Sequence, residues 1–248
     1  MRDRRVLVVR EGREFLLEPG ETLETDLGVL ELPEDVRPGT TVETHLGEPF
    51  EVRRLRGPEL FDHLERTGAP MMPRDIGLVV GHTGVASGDR VLDAGTGTGV
   101  LAAYLGRLGL GVTTYERDPE FAEVARENMD LAGVADRVEV RTGDLLAALD
   151  DIEGSFDLLT LDTADAAAAI ERAPEVLALG GFVAAYTPFV ESARECVAAA
   201  HEAGLSDVEC LETIQREMDF DERGSRPSTA GVGHTGYLTF ARLTPRLG

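Results

Sequence analysis

Arg90-Val91-Leu92-Asp93-Ala94-Gly95-Thr96-Gly97-Thr98-Gly99, together with the residues from Val100 to Glu116, is the stretch that decides the fold. It reads as a short buried strand that ends on an aspartate and runs into a glycine turn. Val100 to Leu108 then carries helix-compatible apolar spacing. Val112-Thr113-Thr114-Tyr115-Glu116 is a second β-rich run that stops on a carboxylate. Strand, glycine loop, helix and acid-terminated strand are the parts of a nucleotide-type pocket. The glycines let backbone come close to a ligand, and the acid can accept both hydroxyls of a ribose.

Downstream the same alternation continues. Strands are expected at 90–93, 112–116, 137–141, 156–161, 180–186, 207–214 and 235–242, and helices near 99–108, 118–132, 144–149, 165–177 and 190–203. Such a pattern builds an α/β doubly wound, largely parallel sheet with ligands at the carboxyl ends of its strands. The last two strands lack the helix that a parallel crossover needs. The polar segment Asp219 to Gly233 joins them, so an antiparallel closing pair is expected. A mostly parallel seven-stranded sheet with that ending is the Rossmann-like class I methyltransferase arrangement.

Upstream the texture differs. Val6-Leu7-Val8-Val9, Glu14-Phe15-Leu16-Leu17, Val29-Leu30-Glu31-Leu32 and Phe50-Glu51-Val52 are short strand-like runs. Glu11-Gly12, Pro19-Gly20, Pro38-Gly39 and Leu46-Gly47-Glu48-Pro49 separate them as turn signals. They predict a small antiparallel, barrel-like β domain over 1–57. A helical connector is expected over 58–80, with Glu59 to Arg66 as a short helix and Asp75 to Gly81 as the start of another, and then a catalytic domain over 81–248.

Composition bounds the reading. The 248 residues carry a formal net charge of -22, and all 24 basic residues are arginine. The acids lie in periodic, foldable sequence, so the excess is read as a surface built for very high salt. At molar salt the Debye length is about 3 Å, and acidity is then no argument against a nucleic-acid partner. The least acidic part is the N-terminal unit, with arginine clusters at Arg2, Arg4, Arg5 and at Arg53, Arg54, Arg56; solvated surface and a nucleic-acid contact are equally open there. The sequence has no long apolar run to span a membrane and no secretory signal, and Cys196 and Cys210 fit neither a metal site nor a disulfide framework. A cytoplasmic protein without a metal is expected.

Four carboxylates fall at strand ends: Asp93, Glu116, Asp144 and Asp162. Neighbouring strand ends of a parallel sheet line one crevice, so the four can ring one pocket. A single acid there is more often a helix cap or turn residue; four in register are harder to obtain by chance. Asp93 can hold the loop or a ligand's amino-acid end, Glu116 the ribose, Asp144 an adenine amino group, and Asp162 can face the reacting centre. The loop lacks the Gly-Lys-Ser/Thr ending of a phosphate loop. An aspartate also stands where a dinucleotide's pyrophosphate would lie. A ligand with a cationic amino-acid tail suits it better, and S-adenosylmethionine is that ligand.

Asp93-Ala94-Gly95-Thr96-Gly97-Thr98-Gly99 resembles the loop of the tRNA adenine-N1 methyltransferases that modify position 58, and in archaea also 57. The likeness spans nearly the whole chain. Arg66-Thr67 through Met72-Pro73-Arg74-Asp75-Ile76-Gly77 is similar to that family's connector, and Phe121-Ala122-Glu123-Val124-Ala125-Arg126-Glu127-Asn128 to its helix. Gly180-Gly181 with Tyr186-Thr187-Pro188, Arg226-Pro227 and Gly233-His234-Thr235-Gly236-Tyr237-Leu238 complete it. The resemblance implies methylation of adenine N1 in the tRNA T-loop region, with Asp162 orienting an extruded base. It implies a cofactor set of Asp93, Gly95, Thr96, Gly97, Thr98, Gly99, Glu116, Arg117, Asp144, Leu145 and Met72. Tyr186, His234, Tyr237 and Arg226 are implied substrate contacts, tRNA the partner and a homotetramer the assembly. The chain departs from the family at Ala69 and Met72, where glutamine and tyrosine are usual, and at Ser192. Asp162-Thr163-Ala164-Asp165 also lacks the usual proline. A class I methyltransferase acting on a protein or small molecule, and a non-catalytic tRNA-binding partner subunit, are the rival readings.

Overall fold

A computed structural model describes residues 5–231 and 233–245. They fall into two compact units, one running to Leu64 and taking in Asp130–Gly133, the other comprising Glu65–Met129 and the chain from Val134 onward.

The first unit holds β1 (Val6–Arg10), β2 (Arg13–Leu17), β3 (Thr22–Thr25), β4 (Gly28–Glu31), β5 (Thr41–Glu43), β6 (Pro49–Arg54) and the short helix α1 (Gly57–His63). Glu11 and Gly12 both take positive φ, which is the turn that suits a two-residue hairpin between β1 and β2. The strands do not close into a barrel. They form a four-stranded antiparallel sheet in the order β2-β1-β6-β5 and a separate β3-β4 hairpin. Val6, Val8, Leu17, Leu30, Phe50 and Val52 meet in its core. Arg5 pairs with Glu18 and Arg53 with Glu51, while Arg2 and Arg4 lie outside the described residues.

The second unit contains α2 (Pro73–Thr83), β7 (Arg90–Ala94), α3 (Val100–Leu108), β8 (Gly111–Glu116), α4 (Pro119–Ala132) as far as Met129, β9 (Val138–Thr142), α5 (Leu145–Ala148), β10 (Phe156–Leu161) and α6 (Ala166–Val176). After these come β11 (Leu177–Thr187), α7 (Val190–Glu202), β12 (Ser206–Glu212), β13 (Met218–Asp221), β14 (Gly224–Pro227) and β15 (Tyr237–Arg242). The seven-stranded sheet runs β12-β15-β11-β10-β7-β8-β9, and β15 lies antiparallel to both neighbours. The closing pair is therefore as expected. The sheet is built outward in both directions from β7 and β10, so their carboxyl ends border the switch-point crevice where ligands of such sheets bind.

Two differences from the sequence reading have local causes. β11 starts at Leu177 because Gly180 takes positive φ and lets the strand continue through a register shift against β10. Gly181 lies so close to the Phe156 and Asp157 carbonyls that a Cβ would come within 3.0–3.1 Å of them. The polar segment after β12 pairs on itself as the β13-β14 hairpin. Leu92, Leu159, Leu161, Ile170, Val183 and Ala200 sit in the core between sheet and helices. Among the described residues no helix is long and apolar enough to cross a membrane.

Candidate functional site

The glycines after β7 have three separate reasons to be glycine. Gly95 takes φ 88° and lies so close to β10 that a Cβ would sit on the Asp162 carbonyl. Gly97 takes φ 50° with no atom nearer than 3.9 Å to where its Cβ would be, so its backbone stays open to a ligand. Gly99 takes φ 80° as the N-cap of α3, against the Met129 methyl. Gly95 N–H donates to the Tyr115 carbonyl, and Asp162 N–H to the Ala94 carbonyl. The segment before α2 is stitched to the loop as well: Thr67 N–H donates to Thr98 Oγ1, and buried Asn128 bridges the Glu65 and Thr98 backbones.

The four acids do different work. Asp93 is 3% exposed. Its oxygens accept from the Thr114 hydroxyl at 2.5 Å and from the Thr160 hydroxyl, and Thr114 in turn meets Thr96 of the loop. It therefore holds the loop and its two flanking strands. Burial raises its pKa against those hydrogen bonds. Among the described residues Asp162 has no such donors; burial, then the charge of Asp93, push it up to about 7. Both carboxyl groups are thus held above the ordinary carboxylate range beside the crevice. Glu116 accepts from Gly97 N–H at 2.8 Å and from Asp118 N–H at 3.1 Å, which ties it to the open part of the loop. Asp144 is a helix cap, accepting from Leu146 N–H. Arg117 reaches from Asp144 to Asp165 at 2.7 Å and donates to Thr163, tying two loops together across the crevice.

A cavity of about 330 Å³ opens here, within the range of small-molecule sites. Gly95, Gly97, Glu116, Arg117, Asp144, Leu145 and Asp162 line it. Asp93, Thr96 and Thr98 border an adjoining space of about 120 Å³, again with Gly95, Gly97 and Asp162. Gly99 lines neither and serves the helix. Met72 lines neither either: it is the N-cap of α2, and its neighbour Met71 reaches the smaller space. The sequence reading gives no role to Ala69, Phe121, Thr163 or Asp165, which line the larger cavity. Phe121 stands in the helix run that carries the resemblance, and Thr163 and Asp165 come just after Asp162.

The implied substrate contacts divide. Tyr186 is half-buried at the end of β11, and its phenol is within reach of the Asp162 charge. His234 is held by Glu212 at 2.7 Å and by the Pro188 carbonyl at 3.0 Å, and it packs on Tyr237. Those bonds raise the His234 pKa, the Pro188 contact most. Both residues thus brace the strand ends. Arg226 sits apart from this cluster on the exposed β13-β14 hairpin, 4.0 Å from Asp219.

Residues 57–224 match the family model of the tRNA methyltransferase complex GCD14 subunit. The chain is 33% identical, over 97% of its length and 95% of the relative's, to tRNA (adenine(57)-N(1)/adenine(58)-N(1))-methyltransferase TrmI of Methanocaldococcus jannaschii. It is 32% identical to tRNA (adenine(58)-N(1))-methyltransferase TrmI of Thermus thermophilus over 94% of both chains. Among solved structures, a SAM-dependent O-methyltransferase of Thermotoga maritima superposes with a TM-score of 0.80 at 27% identity, covering 100% of this chain and 96% of that one. The tRNA (m1A58) methyltransferase TrmI of Aquifex aeolicus gives 0.74 at 23% over 98% of each, a likeness of fold. By both the family model and near-full-length identity, the chain belongs to the GCD14/TrmI tRNA methyltransferase family.

Proposed function

We propose that this protein transfers a methyl group from S-adenosylmethionine to N1 of an adenine in the T-loop region of tRNA, at position 58 with 57 as the second candidate. The observation that carries the reading is the near-full-length likeness to the Methanocaldococcus jannaschii enzyme. The geometry suits the cofactor. Open backbone at Gly97, a carboxylate at Glu116 and the acids Asp93 and Asp162 beside the loop match a nucleoside with a cationic tail.

When bound, S-adenosylmethionine supplies an electrophilic methyl on a sulfonium. The chain positions what receives it. Gly95 and Gly97 keep side chains out of the crevice, Glu116 takes the ribose hydroxyls, and Asp144 stands at the adenine edge. The target base has to leave its tertiary contacts for its N1 to line up, and holding it there supplies much of the acceleration. N1 has a lone pair and needs no base. Asp162 acts by accepting from the N6 amino group, which orients the ring and stabilises the positive charge the ring acquires. Only the ionised carboxylate can do both. Asp162 is held at about 7, so activity should rise with pH through that region.

Labelled methyl transfer to unmodified tRNA at high salt, followed by nucleoside analysis, tests the reading. N1-methyladenosine is expected; its absence overturns it. The likeness to the Thermotoga maritima O-methyltransferase makes an oxygen of a protein or small molecule the second reading, which label appearing only in such an acceptor would favour. Calorimetry with S-adenosylmethionine separates both from a non-catalytic partner subunit, which would not bind it. A homotetramer, a cytoplasmic location and a high-salt habitat belong to the same proposal; light scattering and activity against salt concentration test the first and last.

A further inference from the structure

One buried glycine outside the cofactor loop has the end of a side chain, rather than backbone, packed against it. Gly236 comes just ahead of β15 and takes no positive φ, so no left-handed backbone calls for a glycine there. A Cβ on it would lie 2.6–2.9 Å from the outer end of Tyr186, whose ring carbons and hydroxyl are its three nearest atoms. Carbon atoms in contact sit about 3.5–4.0 Å apart, so one of the two would have to move by roughly 1 Å.

Gly236 cannot retreat. Thr235, the residue before it, donates from its hydroxyl to buried Asp75 at 2.9 Å and accepts from Arg74 at 3.1 Å. Tyr237, the residue after it, is paired with Thr187 of β11 on one side and with Glu212 of β12 on the other. The half-buried end of Tyr186 is therefore the partner that has to give.

The sheet decides where the ring would go. Thr160 pairs with Ala184 and reaches Asp93 on one face. Side chains alternate along a strand, so Tyr186, two residues past Ala184, stands on that face too. Leu161 pairs with Ala185, and Asp162 continues the ladder by donating to the Ala94 carbonyl, so Asp162 and Tyr186 are level. β11 runs between β15 and β10. A ring pushed off Gly236 at the β15 edge thus moves towards Asp162, where the target base has to stand.

We propose that Gly236 is a positioning residue whose missing side chain seats the Tyr186 ring back from Asp162 and keeps open the room that the acceptor base occupies. This deepens the adenine reading and rests on it. Gly236 touches neither base nor cofactor in this scheme; it acts through the ring.

Gly236→Ala should lower kcat for methyl transfer to tRNA about ten- to hundredfold, the size of a misplacement of about 1 Å. S-adenosylmethionine affinity by calorimetry should stay within about twofold, because the residues lining its cavity belong to other segments. In a Tyr186→Ala background the same change should cost less than about twofold, since the ring it displaces is gone. A wild-type kcat in Gly236→Ala, cofactor affinity falling in step with kcat, or losses that multiply in the double variant would overturn the proposal. If Gly236→Ala does not fold, adding Tyr186→Ala should restore folding, and a double variant that still does not fold overturns it as well. If the wild type makes no N1-methyladenosine, the functional reading fails on its own, and the seat is judged by crystallography. The ring end should then stand at least about 0.5 Å nearer Asp162 in Gly236→Ala than in the wild type, and an unmoved ring overturns the seat.

Discussion

The glycine-loop side of the crevice is made of consecutive residues, Arg90 to Glu116. The Thr235 side joins Arg74-Asp75, Tyr186 to Pro188 and His234 to Tyr237, with one bond spanning 161 positions along the chain. On the first side the limiting contacts are made by backbone atoms: Gly95 against the Asp162 carbonyl, Gly97 N–H against Glu116. On the second they are side-chain hydrogen bonds around one threonine oxygen. A backbone-built site tolerates almost no added atom, whereas a side-chain network can lose a member and keep its shape. Changes to the two sides should therefore differ in kind as well as in size.

Asp162 lies where the sides meet and should give the largest effect. Asp162→Ala is expected to cost transfer about a thousandfold or more while cofactor affinity by calorimetry stays within about threefold. Near-wild-type turnover would remove the acid from the scheme. Gly95→Ala should come next, costing about 3 kcal/mol or more in chemical unfolding, along with cofactor binding, because Ala would need both a strained φ and the space of the Asp162 carbonyl. A stable Gly95→Ala protein that binds normally would erase the contrast between the two sides.

The pH dependence tests the role of Asp162. Asp162 binds its proton more tightly in the folded chain than its ordinary value of 3.8 allows, up to about 7. The folded state therefore loses stability as pH rises from the ordinary value to the raised one, the reverse of a salt-bridged carboxylate. Because Asp162 lines a cavity open to solvent, the stability at stake is about 1–2 kcal/mol. Asp162→Asn should raise Tm at pH 8 and leave it unchanged near pH 4, while wild-type kcat/KM climbs with a midpoint near 7. A kcat/KM profile flat across that range would mean that the ionised carboxylate is not required. The smallest change is Arg117→Ala. Its ties to Asp144 and Asp165 are exposed, so cofactor affinity should weaken by about two- to threefold at low salt, and the difference should vanish at molar salt. A larger, salt-insensitive loss would make Arg117 part of the backbone-like side.

Much of the fold is legible in the sequence because its signals are local. Alternating apolar runs and glycine turns place each strand of the seven-stranded sheet, and the missing helix before the last strand predicts an antiparallel ending. The β13-β14 hairpin escapes such a reading because it is exposed: even Met218 and Phe220 lie at the surface, leaving no buried face to impose a period. Barrel closure of the N-terminal unit is an over-reading, since spacing of short strands does not say which edges pair. At the site, Asp93 and Asp162 look alike in sequence, each an acid at the end of an apolar strand. Their difference is made by Thr114 and Thr160, which reach Asp93 from neighbouring strands, whereas no described residue donates a side-chain hydrogen bond to Asp162.

The sequence by itself determined the glycine loop, the acids at the strand ends and the class of ligand they admit. Those features depend on φ angles and on residues close along the chain. Only the tertiary structure decided which acid holds the loop and which receives no threonine hydroxyl, that Met71 rather than Met72 reaches the smaller space, and that His234 braces a strand end. It also decided that Thr235 meets Arg74 and Asp75 and that Gly236 packs on the Tyr186 ring. Such placements depend on which segments the fold brings side by side, as where β15 is inserted between β11 and β12, and hydrogen bonds between distant segments carry no signature at either partner's position in the chain.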